Sequence, residues 1–178
     1  SFLREAAGPD AWKVTDLPCA DTTAGYREYC RRELMGDLNA SVCRISESTF
    51  LESENANIPT VPYELPDGNI LEVGLERFKV PELLFQPGLM STFPDTEALV
   101  GEDGLPLKGM QGLVLDSIGK CDIDVRKELY GGVLLTGGVS LIPNLRERLE
   151  RELSEQVSSY TARVKVSTPN PLVERKLS

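Results

Sequence analysis

Apolar residues at Tyr26, Cys30, Leu34, Leu38 and Val42 recur at every fourth position, the spacing of a helix face turned toward a core. Asp21-Thr22-Thr23 stands just ahead of this run, with short oxygen-bearing side chains suited to cap a helix start. Gly36 lies inside the run and weakens its C-terminal half by roughly 1 kcal/mol relative to Ala. The polar stretch 46–60 predicts a loop. Two β-prone runs, Val61–Leu65 and Ile70–Val73, then flank Pro66-Asp67-Gly68-Asn69. Proline presets φ and glycine accepts positive φ, so the pattern predicts a hairpin, with Pro62 placing the first strand at a sheet edge.

Pro81–Phe85 predicts a brief helix with proline in its first turn. Residues 86–110, with three Pro and four Gly, read as a loop too long to be a simple connection. Helices are expected over Gly112–Gly119 and Ile123–Tyr130, the second capped by Asp122 and helped by Asp124 in its first turn. Val133–Thr136 predicts a buried strand, Gly137-Gly138 a sharp turn, and Pro143–Glu155 a helix with the apolar stripe Leu145, Leu149 and Leu153. Glu147–Arg151 and Arg148–Glu152 are spaced as ion pairs on the solvent side of that helix. Arg163–Ser167 supplies a further strand. Strand, helix and strand at these spacings make a βαβ unit with parallel strands, so the fold class is α/β.

Composition narrows the function. The 178 residues suit one domain or a large part of one, and no apolar run reaches the ~18 residues of a membrane-spanning helix. A net charge of −9 argues against sequence-independent grip on nucleic acid, which needs a basic face. It leaves a solvated acidic surface, or a patch for basic partners such as histone tails. The chain has no histidine, which removes Ser-His-Asp and Cys-His catalysis and histidine metal sites. Cys19, Cys30, Cys43 and Cys121 form no C-x-x-C pair, so zinc ribbons and redox motifs are not expected. Residues 1–25 read as an irregular or inserted segment, and a start without Met predicts a fragment of a longer protein.

Gly137-Gly138 follows a strand, where α/β proteins bind ligands beyond the strand's carboxyl end. The pair lets another molecule approach the backbone, although a tight turn alone accounts for it and no third glycine or Gly-Lys-Ser follows. Asp122 and Asp124 are explained by capping before metal binding. Arg31-Arg32, Arg146 and Arg148 read as solvated helix faces before phosphate sites. Trp12 and Phe50 sit in irregular segments without the basic interleaving of a single-strand platform.

Longer blocks carry more. Tyr63-Glu64-Leu65-Pro66-Asp67-Gly68, Glu76-Arg77-Phe78, Pro81-Glu82 and Leu84-Phe85-Gln86-Pro87 resemble actin. So do Lys120-Cys121-Asp122-Ile123-Asp124-Val125-Arg126-Lys127, Thr136-Gly137-Gly138 with Pro143, and Glu174-Arg175-Lys176, all in actin order. Within that family Asp21-Thr22-Thr23, Cys43-Arg44, Ile58-Pro59-Thr60, Lys79-Val80-Pro81 and Ala162-Arg163-Val164-Lys165-Val166 resemble the nuclear actin-related protein 4 class, its plant or algal members in particular.

The resemblance implies an actin-like fold of the ribonuclease H-like type, with 26–178 forming an incomplete larger lobe, subdomains three and four. It implies a nuclear, non-catalytic subunit of chromatin-remodelling and histone acetyltransferase complexes, with the cytoplasm as second compartment. Partners implied are actin, a helical segment of a remodelling ATPase, other complex subunits and histones, with neither membrane nor sequence-specific nucleic acid. The cofactor implied is ATP, contacted here through Gly137, Gly138, Val139, Leu141, Ile142 and Lys176, with its phosphate and cation part upstream of Ser1. Asn39-Ala40 stand where conventional actin carries Lys-Glu over the base, which removes two polar contacts. A polymerising actin-like ATPase is the alternative, and the long acidic stretch 88–110 counts against it.

Overall fold

The computed structural model describes residues 22–51, 58–93, 96, 100–101, 104–157 and 162–169. The predicted segment 1–25 therefore lies outside the described residues up to position 21. Contacts divide the chain into two units, Ser1–Cys43 with Leu51–Arg77, and Arg44–Phe50 with Phe78–Ser178.

In the first unit helix α1, Ala24–Val42, starts where the Thr23 hydroxyl accepts the Tyr26 amide at 3.3 Å. The helix runs unbroken through Gly36, and its packing reverses the expected weak half. Leu38 and Val42 are buried, whereas Tyr26 and Tyr29 are exposed and stack on each other at 6.5 Å. What decides this is the reach of the hairpin, not glycine propensity. Strands β1 (Val61–Glu64) and β2 (Ile70–Val73) pair antiparallel, with Val61 opposite Val73 and Glu64 opposite Ile70. Gly68 sits at φ 83° in the turn, as its sequence predicts. Tyr63, Leu71 and Val73 project from the hairpin onto Leu38, Val42 and Cys43 to make this unit's core. The Tyr63 hydroxyl donates to the Asp37 carboxylate at 2.6 Å.

In the second unit, helix α2 (Glu76–Glu82) contributes its residues from Phe78 onward. The helix expected at Pro81–Phe85 thus lies earlier, with Pro81 inside its last turn. Proline has no N–H to give the helix interior, and beyond it the chain tightens to i→i+3 bonds, Leu84 N–H to Pro81 O and Phe85 N–H to Glu82 O. Within the expected loop 86–110, Pro87–Thr92 is a 3₁₀ helix and Val100 bridges Pro106. Helix α3, Met110–Gly119, begins two residues before the expected start. A Cβ on Gly109 would overlap the Phe85 carbonyl oxygen, so the Met110 amide can reach Leu84 O at 2.7 Å. Helix α4, Ile123–Gly131, follows Asp122, whose side chain makes no cap hydrogen bond.

Strands β3 (Val133–Leu134) and β4 (Val166–Ser167) pair in parallel around helix α5, Leu145–Gln156. The βαβ expectation holds, but the predicted buried strand is two residues long and Leu134 is 64% exposed. Ala162, Val164 and Val166 are buried and Arg163 and Lys165 exposed, the alternation of a one-sided strand. Leu145, Leu149 and Leu153 line the α5 face that forms the core with Ile45, Phe85, Val164 and Val166.

Arg148 departs from expectation. It is buried, not solvated. Its Nη1 and Nη2 grip Glu82 at 3.1 and 2.8 Å, Nε donates to Glu152 at 2.7 Å, and Nη1 also reaches the Ser46 and Ser48 carbonyls. Its guanidinium stacks 4.9 Å above Phe85. Glu82 in turn accepts from Gln86 Nε2 and the Phe50 amide. Removing one partner of such a pair strands a buried charge. Arg148→Met is expected to cost about 3–5 kcal/mol in a denaturant melt. Arg151→Ala, at the exposed Arg151–Glu155 pair of 3.5 Å, should cost under about 1 kcal/mol. Equal losses would mean that the Arg148 pair carries no more than a surface one.

The hydrogen bond to Asp37, then burial and the Asp37 charge, push the Tyr63 phenol from 10.0 up to about 12. A pKa raised on folding gives stability that is complete below the unfolded value and lost as pH rises through the folded one. Stability of the first unit should therefore fall between about pH 10 and 12, and Tyr63→Phe should flatten that fall. Hairpin circular dichroism against pH measures it, and an unchanged profile in the variant refutes the assignment.

Candidate functional site

The chain leaves β3 through Leu135 and Thr136 and turns at Gly137, whose φ of 88° and ψ of 171° suit glycine. Gly138 has no such angle, so the special backbone of the pair belongs to Gly137. Gly138–Leu141 then forms a short 3₁₀ turn. Buried Ser140 closes it, its amide and hydroxyl both donating to Gly137 O at 3.1 and 2.7 Å. The amides of Gly138 and Val139 precede this first internal bond and stand on an exposed stretch. A Cβ on Gly137 or Gly138 would meet nothing within 4 Å, so space is open beside the backbone.

Beyond the turn lies a hollow of about 140 Å³ lined by Ser140, Leu141, Ile142, Pro143, Asn144, Arg146, Glu147 and Thr168. It sits where the rule for parallel sheets puts ligands, past the carboxyl ends of β3 and β4. Of the expected contacts, Leu141 and Ile142 line it, Gly137, Gly138 and Val139 border it along the chain, and Lys176 lies outside the described residues. Val139 is exposed, and Ile142 also packs against the core of this unit. The hollow is smaller than the roughly 300–1,000 Å³ of small-molecule sites, and its lining cation, Arg146, is paired with Glu147 at 2.6 Å. Its walls thus offer mainly hydrogen-bonding surface, with Arg146 already committed to Glu147.

A scan of family models matches the actin family over residues 3–178. The chain belongs to the actin family. It is 44% identical over all 178 residues to actin-related protein 4 of Oryza sativa, in both the indica and japonica subspecies. It is 41% identical over 179 aligned positions to actin-related protein 4 of Arabidopsis thaliana. In each case it spans 40% of the relative's length. The architecture described above is accordingly a partial actin fold.

Within this actin-family segment, sequence reasoning passed over Ser140, Asn144 and Thr168. Asn after Pro143, just ahead of a helix, was the legible signal, since Asn tolerates the left-handed backbone it adopts here at φ 68°. Asp122 and Asp124 are both exposed, and among the described residues no group of three or more His, Cys, Asp or Glu side chains converges for a metal. Cys30, Cys43 and Cys121 are free thiols, and burial pushes that of Cys43 up to about 11 against the lowering charge of Arg77.

The two glycines should respond differently to substitution. Gly137→Ala puts a Cβ on a positive-φ, extended-ψ backbone reserved for glycine and is expected to cost about 1–3 kcal/mol. Gly138→Ala, with ordinary angles and open space, should stay within about 1 kcal/mol of wild type. Thermal melts of both variants check this, and equal effects would overturn the placement of the turn's constraint at Gly137.

Proposed function

We propose that this chain is the larger-lobe part of a nuclear actin-related subunit of chromatin-remodelling and histone acetyltransferase complexes, one that holds ATP without turning it over. The observation that carries the reading is identity of 41–44% along the whole segment to plant proteins named actin-related protein 4. The open backbone at Gly137-Gly138 and the hollow beside Leu141 and Ile142 support a nucleotide contact limited to the base and sugar edge. Lys176 adds its aliphatic stem to that surface in this reading. The −9 charge fits a scaffold with protein partners better than a nucleic-acid binder. Its partners are actin, a helical segment of a remodelling ATPase and basic histone surfaces.

Tagged intact protein should co-purify from nuclear extract with actin and a remodelling ATPase. Recovery of cytoskeletal filament proteins alone sinks the assignment. The 178-residue segment by itself should bind ATP with Kd around or above ~1 mM, roughly −4 kcal/mol, because the hollow holds no phosphate cradle. Micromolar binding in calorimetry would show that this segment carries a complete site.

A further inference from the structure

The segment Arg44–Phe50 runs through the second unit as an irregular strap that bends at Glu47-Ser48, and its fixings are unequal. Ser46 and Ser48 give their carbonyls to Arg148, and the Phe50 amide points to Glu82 at 3.4 Å. These hold the strap to the buried ion pair. Ile45 is held elsewhere. Its amide donates to Pro143 O at 3.0 Å, and its carbonyl accepts from Asn144 Nδ2 at 3.2 Å. Pro143 and Asn144 directly follow the Gly137–Ile142 turn, so both backbone groups of Ile45 are stitched to the end of that turn.

Asn144 is the non-glycine residue with positive φ among the described residues, at 68°. Backbone conformation alone would favour glycine there. The amide of Asn144 adds what glycine lacks, a donor to the strap. The same residue walls two hollows, the 140 Å³ one beside the turn and one of about 330 Å³ lined also by Glu47 of the strap and by Arg148 and Arg151. One side chain thus stands between the turn and the strap.

We propose that Asn144 is a positioning residue that makes the Gly137–Ile142 turn and the strap Arg44–Phe50 a single cooperative element, so that a nucleotide ordering the turn also orders the strap. The coupling to nucleotide rests on the reading of the turn as an ATP contact. By linkage, a strap held firmly strengthens nucleotide binding by the same factor by which nucleotide firms the strap.

Hydrogen exchange on the intact protein, read by mass spectrometry with and without Mg-ATP, tests this in wild type and Asn144→Gly. Glycine keeps the left-handed backbone and removes the amide donor. Without nucleotide, peptides covering 44–50 and 137–143 should both exchange roughly fivefold faster in the variant, as loss of one net hydrogen bond gives. Helix α3, Met110–Gly119, should be unchanged. Asn144→Asp, which sets a carboxylate against the Ile45 carbonyl, should exceed the glycine effect. Acceleration of the strap without the turn, or of every peptide including α3, overturns the positioning role. In wild type, ATP should slow both 44–50 and 137–143. Protection of the turn alone overturns the coupling while leaving the nucleotide reading intact. Protection of neither removes the nucleotide reading and the ligand half of the proposal, and the unliganded comparison still decides the role of Asn144.

Discussion

A guanidinium with one percent of its side chain exposed is costly to bury unless acceptors surround it, and Arg148 recruits them from three separate stretches of chain. Glu82 comes from the end of α2, Glu152 from the next turn of α5, and the Ser46 and Ser48 carbonyls from the strap. Beside the two carboxylates, the strap's carbonyls accept from Nη1 and Phe85's ring covers the guanidinium face. A hydrophobic residue at 148 could fill the volume but would leave Glu82 without its counter-charge. The segments that meet at this point therefore have to fold together. Leu145, Leu149 and Leu153 supply the area of the core, and Arg148 fixes which segments lie against it.

That arrangement explains where sequence pattern sufficed and where it failed. The leucine stripe on α5, the hairpin at Asp67-Gly68 and the parallel pairing of Val133 with Val166 are local or periodic features, and all were legible. Arg148 falls beside the leucine stripe with Glu152 four residues on, so spacing alone makes it a surface ion pair. Nothing local announces that Glu82, sixty-six positions earlier, arrives beside it. The α2 boundary failed for a different reason. Proline tolerated in a first turn and proline closing a last turn differ only in what precedes them, and Glu76-Arg77-Phe78-Lys79 supplies the earlier helix. On α1 the period was right but its burial was not, because burial depends on how far the four-residue strands of the hairpin extend.

The site was legible to a smaller degree. Two glycines after a strand marked the turn beside the hollow, yet only the backbone angles separate them, with Gly137 alone of the pair bearing the positive φ. The remaining walls, Ser140, Asn144 and Thr168, come from a closing hydroxyl, a helix entry and the end of β4. These residues reach one hollow only because β3 and β4 run in parallel and end on the same side. Resemblance placed the chain in its family through long blocks, some of whose residues serve packing: Glu82 and Phe85 are buried in the second unit, and Tyr63 closes the hairpin onto α1.

Packing residues and the residues that wall the hollow are therefore not separable categories in this segment. Asn144 caps nothing with its side chain and instead ties the strap to the exit of the turn. Arg148, one helical turn further along α5, ties the same strap to Glu82. The strap is thus pinned at one end by a strong, fully buried ionic cluster and at the other by two neutral hydrogen bonds at 3.0 and 3.2 Å. Neutral bonds are worth roughly 1 kcal/mol each, against several for the ion pair. Any loosening of this unit short of unfolding should begin at the Ile45 end, which is also the end that meets the turn. A ligand contact placed there acts on the weakest fixing of an otherwise rigid element, where a small binding energy moves the largest population.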